Sequence, residues 1–120
     1  MTFPVDVVLK GRDYAVTESV TVPHGEPSTW NDAAVRDVLI EILRAIDRAQ
    51  NPGASADRVV ALQGFSWIVE PDQDKVVIAI EIPMGAAVAG PFAIPQAELD
   101  ASITRVLKIE RELFGPQTVH

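Results

Sequence analysis

Glu70 and Glu81 are the residues whose type and spacing come nearest to acid–base chemistry. Each lies in a strand-like run, and a tight turn makes the two runs neighbours, so the carboxylates could work as an acid and a base. Glu70 falls near the turn, in water. Glu81 lies deeper, between Ile80 and Ile82, where it is better shielded. The ordinary role of such a glutamate is to point outward and guard a sticky strand against aggregation. His24 and Glu26 stand one residue apart in a Pro-Gly loop. A metal site needs several convergent ligands, and the second histidine is His120 at the far end, so His24 reads as a solvated loop residue and no metal is expected. Arg12 and Tyr14, at a turn near the start, are equally unspecific.

The remaining motifs of catalysis are missing from the residues. The sequence has no cysteine, which excludes disulfides, thiolate metal ligands and a thiol nucleophile. No Gly-x-Ser-x-Gly elbow occurs, and Gly64-Phe65-Ser66-Trp67 is only a strand segment. Gly85 to Gly90 lacks the Lys and Ser/Thr of a phosphate-binding loop and the glycine spacing of a dinucleotide fold. No catalytic residue and no cofactor are therefore expected.

Phe65 and Trp67 point elsewhere. Each ring offers roughly 150–250 Å² of surface, and exposing both to water would forgo about 2–3 kcal/mol apiece. They lie on a run, Asp57 to Glu70, whose two sides are both largely apolar. Val59, Ala61, Phe65, Trp67 and Val69 take one side; Val60, Leu62 and Ile68 take the other. A strand apolar on both sides calls for cover on both. Either the rings face the chain's own helices, or a second surface covers them, or they line a ligand cleft.

The elements that must hold these residues follow from periodicity. Val5 to Lys10 and Tyr14 to Val22 read as a hairpin turning at Gly11-Arg12-Asp13. Glu18 interrupts its apolar side, a place for a bulge or an exposed strand end. Thr29-Trp30-Asn31-Asp32 resembles a capping box with Thr29 as the cap. Val35, Val38, Leu39, Ile42, Ile46 and Ala49 then recur at helical spacing until Asn51-Pro52-Gly53. The run from Asp57 to Glu70, bent at Gly64, and the run Val76 to Ile82 form a second hairpin around Pro71 to Asp74. Met84 to Ile94, small and Gly-containing, reads as a loop or lid. A last helix opens at Pro95, carries Leu99, Ile103, Val106, Leu107, Leu113 and Phe114, and stops at Gly115-Pro116.

These elements predict an α+β two-layer sandwich in ββαββα order, with a four-stranded, mainly antiparallel sheet and two helices on one face. The layout looks like one hairpin-plus-helix unit used twice. One domain over 1–116 is expected, followed by a frayed tail over 117–120. The length of 120 residues and the 48% hydrophobic content support a real core.

The net charge of −7, with ten Lys and Arg scattered and none adjacent, argues against nucleic acid and anionic lipid as partners. No apolar run approaches the ~18 residues that span a bilayer, and the first residues do not read as a secretory signal, so a cytoplasmic location is expected. The expected function is an interaction or adaptor module, not an enzyme. It would present a sheet face or edge to a protein partner, as a homo-oligomer with a dimer favoured. Phe65, Trp67, Val77, Glu81 and Met84 are the candidate interface or pocket residues. The alternative is a small enzyme or ligand binder with a pocket between sheet and helices, roofed by the 84–95 segment.

Overall fold

The computed structural model describes residues 1–53 and 59–114. It is a two-layer α+β fold: β1 (Thr2–Leu9), β2 (Ala15–Thr21), α1 (Asp32–Gln50), β3 (Ser66–Asp72), β4 (Lys75–Ile82), β5 (Gly85–Phe92) and α2 (Gln96–Phe114). Two layers, two helices and an antiparallel sheet agree with the sequence. The sheet, however, has five strands in the order β2-β1-β5-β4-β3, all neighbours antiparallel.

The additional strand is the segment expected to be a loop. Gly85 to Phe92 lies at the centre of the sheet and joins the N-terminal hairpin to the β3–β4 hairpin. Its small residues concealed an ordinary strand alternation. Ala87 and Ala89 face the helices and are buried, whereas Ala86 and Val88 face the open side. The order is thus ββαβββα, and the second half does not repeat the first. The irregularity in the ladder lies between Val76 and Ile78, where β4 shifts register against β5 beside Gly90 (φ 120°).

Register places rows of mainly apolar residues beneath the helices. Val16, Val7, Ala87, Ile80 and Trp67 stand side by side across all five strands. In the adjacent row Glu18, Val5, Ala89, Ile78 and Val69 do the same. The strand β2 runs through Glu18 without a bulge. Its carboxylate turns toward α1 and accepts a hydrogen bond from Arg48 Nε at 2.9 Å, so the charge among apolar neighbours is paired. α1 packs over β1, β2 and β5, α2 packs over β3, and the helices touch each other.

The start of α1 differs from the capping-box expectation by two residues. Asn31 is the N-cap, and its side-chain oxygen accepts the Ala34 N–H at 2.9 Å. Thr29 instead closes a 3-10 turn over Pro27–Thr29, donating its hydroxyl to the Glu26 carbonyl at 2.7 Å. Asp32, in the first turn of α1, binds the two helices together. Arg105 of α2 donates to it through Nε at 2.9 Å and Nη2 at 3.0 Å, and the Ser102 hydroxyl donates at 2.7 Å. The Arg105 hydrogen bonds, then that of Ser102, hold its carboxyl below the ordinary value of 3.8.

A folded-state value below the unfolded one means that Asp32 stabilises the fold at neutral pH and loses that contribution as pH falls below 3.8 and through the folded value. Asp32→Asn should therefore lower the urea midpoint modestly at neutral pH, since both partners are partly exposed. The difference from the parent should shrink at about pH 3. A difference that grew on acidification would contradict the assignment.

The strand expected from Asp57 is shorter than the sequence predicts. Regular pairing begins at Ser66, and residues 59 to 65 run alongside without strand structure; Asp57 lies outside the described residues. The turn tightens to Gln73-Asp74, with Pro71 inside edge strand β3. The helix stop at Gly115-Pro116 and the tail also lie outside the described residues. No helix among the described residues is long and apolar enough to cross a membrane.

Candidate functional site

Residues 59 to 65 cross from the end of α1 toward β3, and their side chains meet α2 over a cleft of about 630 Å³. One wall is this segment together with Trp67, and it is apolar apart from Gln63. The other wall is the C-terminal half of α2, with Leu107, Glu110, Arg111 and Phe114, joined by Arg36 of α1. Trp67 enters from β3 because its register partner is Ile80, which puts the indole on the helix-covered face of the sheet. Gly64 takes φ 79°, a left-handed conformation that glycine adopts without cost, and so turns the segment just before Phe65.

Phe65 and Trp67 are both half-buried and pack against the core from its margin. The core they pack against includes Ile80, the register partner of Trp67, and Leu99, Ile103 and Val106 of α2. The rings are therefore covered on one side by the chain's own core and open to the cleft on the other. Both rings lie on the helix side of the molecule, so they do not furnish an apolar patch on the opposite sheet face, and their placement lends no support to self-association through that face.

The charged groups of the cleft lie on its helical wall. Arg36 donates from Nε to Glu110 Oε1, tying α1 to α2 across the rim. Arg111, the next residue along α2, is exposed and has neither a hydrogen bond nor an ion pair among the described residues. No histidine, serine or threonine occurs among the described lining residues. A volume near 630 Å³, mostly apolar walls and a few charged groups are the attributes of a small-molecule site.

The other three residues singled out from sequence lie elsewhere. Val77 and Glu81 point to the open face of the sheet, Val77 partly covered and Glu81 exposed. Glu81 stands opposite Ser66, and Glu70 stands opposite Val77, so the two carboxylates are separated along the ladder and do not form a pair. Met84 sits exposed in the β4–β5 turn, where its carbonyl accepts the Lys10 N–H at 2.8 Å. The alternative expectation put a pocket between sheet and helices under the 84–95 segment, but no residue of that segment lines this cleft. That segment is β5 and the short approach to α2.

Sequence reasoning missed Leu107, Glu110, Arg111 and Phe114 as neighbours of Phe65 and Trp67. The signal was available in the last helix: Leu113 and Phe114 continue an apolar run past the point where the sheet can cover it, and Phe114 is 60% exposed. His24 is also accounted for. Its Nε2 lies 2.9 Å from Asp37 Oδ2, a contact between the loop and α1. Among the described residues no group of three His, Asp or Glu side chains is arranged to hold a metal ion.

The open sheet face carries a mild apolar strip, with Val8, Val88 and Ile68 about half exposed. Asp6, Thr17, Glu81 and Glu70 surround it. The Thr17 hydroxyl donates to Asp6 at 2.7 Å, which keeps that side of the strip polar.

Comparison with known proteins gives no match to a family model, a curated protein or a solved structure.

Proposed function

We propose that this chain is a non-catalytic binding module that receives an apolar ligand in the cleft between residues 59–67 and α2. The observation that carries this reading is the position of Phe65 and Trp67. Two large rings are backed by the core yet open to a cavity of ligand size, where closing them would have stabilised the fold further. The polar groups at hand also favour binding over catalysis. Glu110 is engaged by Arg36, and among the described residues the lining offers a second arginine and an amide but no activated nucleophile.

The test is saturable binding of an uncharged apolar fluorescent dye such as Nile red to the native protein. One dye should bind per chain with a blue-shifted, enhanced emission. Trp67→Ala should weaken it by roughly tenfold or more, the scale of one lost aromatic contact, while far-ultraviolet circular dichroism stays unchanged. Equal dye binding by the parent and a folded Trp67→Ala protein would remove the cleft as the site.

A further inference from the structure

We infer that the cleft is made for a single-chain monocarboxylate, with the alkyl chain against Phe65, Trp67, Leu62 and Leu107 and the carboxylate on Arg111. This inference rests on the cleft being the binding site proposed above.

Charge supplies the first argument. Arg36 is committed to Glu110, whereas Arg111 has no partner among the described residues. A chain of net charge −7, with 17 acidic against 10 basic residues, repels anions from a distance. An anion held by one arginine must therefore bring little charge and much apolar surface. A monocarboxylate does; a phosphate or a polyanion does not. Arginine also meets a carboxylate with two parallel N–H donors, which fixes the ligand's end.

The walls supply the second argument. Apart from Gln63, the wall opposite α2 offers no polar side chain among the described residues. A peptide laid there would bring backbone N–H and C=O groups into contact with apolar rings, and each unpaired group is costly. A hydrocarbon chain has no such groups. The cavity of about 630 Å³ also lies within the range that encloses a molecule of this size.

The experiment is calorimetric titration of the full chain with sodium octanoate, decanoate and dodecanoate below their micellar concentrations, with decanol as the uncharged control. Decanoate should bind one to one, and each two-carbon extension should tighten binding roughly tenfold. Decanol should bind about threefold to tenfold more weakly than decanoate. Arg111→Gln should bring decanoate down to the level of decanol and leave decanol unchanged, and Arg111→Lys should restore part of the difference. Arg111 is exposed, so these variants leave the core intact.

Decanol binding as tightly as decanoate, or a decanoate preference that survives Arg111→Gln, would overturn the carboxylate assignment and leave the apolar cleft standing. Displacement of the dye by an alanine-rich peptide with a free C-terminus, but not by decanoate, would also overturn it, in favour of a peptide ligand. If neither the dye nor decanoate binds, the cleft itself falls as a site.

Discussion

Phe92→Ala should cost about 3–5 kcal/mol of unfolding free energy, the range for deleting a fully buried phenylalanine. Phe92 ends β5 with none of its surface exposed. Its ring meets Phe3 of β1 edge-on at 5.0 Å between centroids and 74° between planes. On another side it meets Trp30, ahead of α1, at 5.2 Å and 61°. Both are favourable edge-to-face arrangements. The ring thus joins the first strand, the central strand and the entry to the first helix, and no neighbour can fill its volume without moving the sheet. A domain of this size holds only ~5–15 kcal/mol in total, so the variant should sit close to its folding threshold. Urea unfolding measures this directly, with an unchanged m-value expected if the native and unfolded states are otherwise the same. A loss below about 1.5 kcal/mol would mean that the site collapses onto the gap far more readily than packed cores do.

The second large effect comes from adding one carbon. Gly85 opens β5 between two partners, Leu9 of β1 and Ile82 of β4. A Cβ there would collide with the backbone carbonyl oxygen of Val8 and crowd the Leu9 Cα at 3.1 Å. These are main-chain atoms held in a ladder, so they cannot rotate aside as a side-chain end could. Gly85→Ala should therefore push β1 away from β5 and cost about 2–4 kcal/mol, at or above the usual range for overpacking. Gly25→Ala is the matched control. Its Cβ would meet nothing within 4 Å, and its backbone is not left-handed. That variant should fall within about 0.5 kcal/mol of the parent. Equal urea midpoints for the two variants would show that the β1–β5 contact yields without cost.

The same glycine shows why the sheet was only partly legible. β1, β2 and β4 announce themselves through valines and isoleucines at alternate positions. β5 does not, because its inner positions are Ala87 and Ala89 and its ends carry Gly85, Gly90 and Pro91. Small residues suit a central strand that lies close under a helix, but in a linear sequence they read as a flexible connection. The helices were legible because their periodicity survives inspection alone; the cap was misplaced because Thr29 and Asn31 are both good caps, and only the chain's path selects between them.

At the site, type was legible and place was not. Phe65 and Trp67 stood out by their size. Their setting depends on α2 arriving some 40 residues later in the chain to form the opposite wall, a distance that no local pattern spans. Glu81 misled because isoleucine neighbours in a strand lie on the opposite face from it, so a flanking apolar residue says nothing about its own burial.

The strand order also dictates how the chain must assemble. β1 obtains its second neighbour only when residues 85 to 92 become available. During synthesis, the first hairpin and α1 leave the ribosome with one margin of β1 unmatched, and nothing nearby in sequence can close it. Closure must wait for residues more than 75 positions downstream of β1, and such distant pairing makes for slow, late-committing folding. Until then the exposed backbone of β1 is open to any extended segment that comes past, including one from a neighbouring nascent chain.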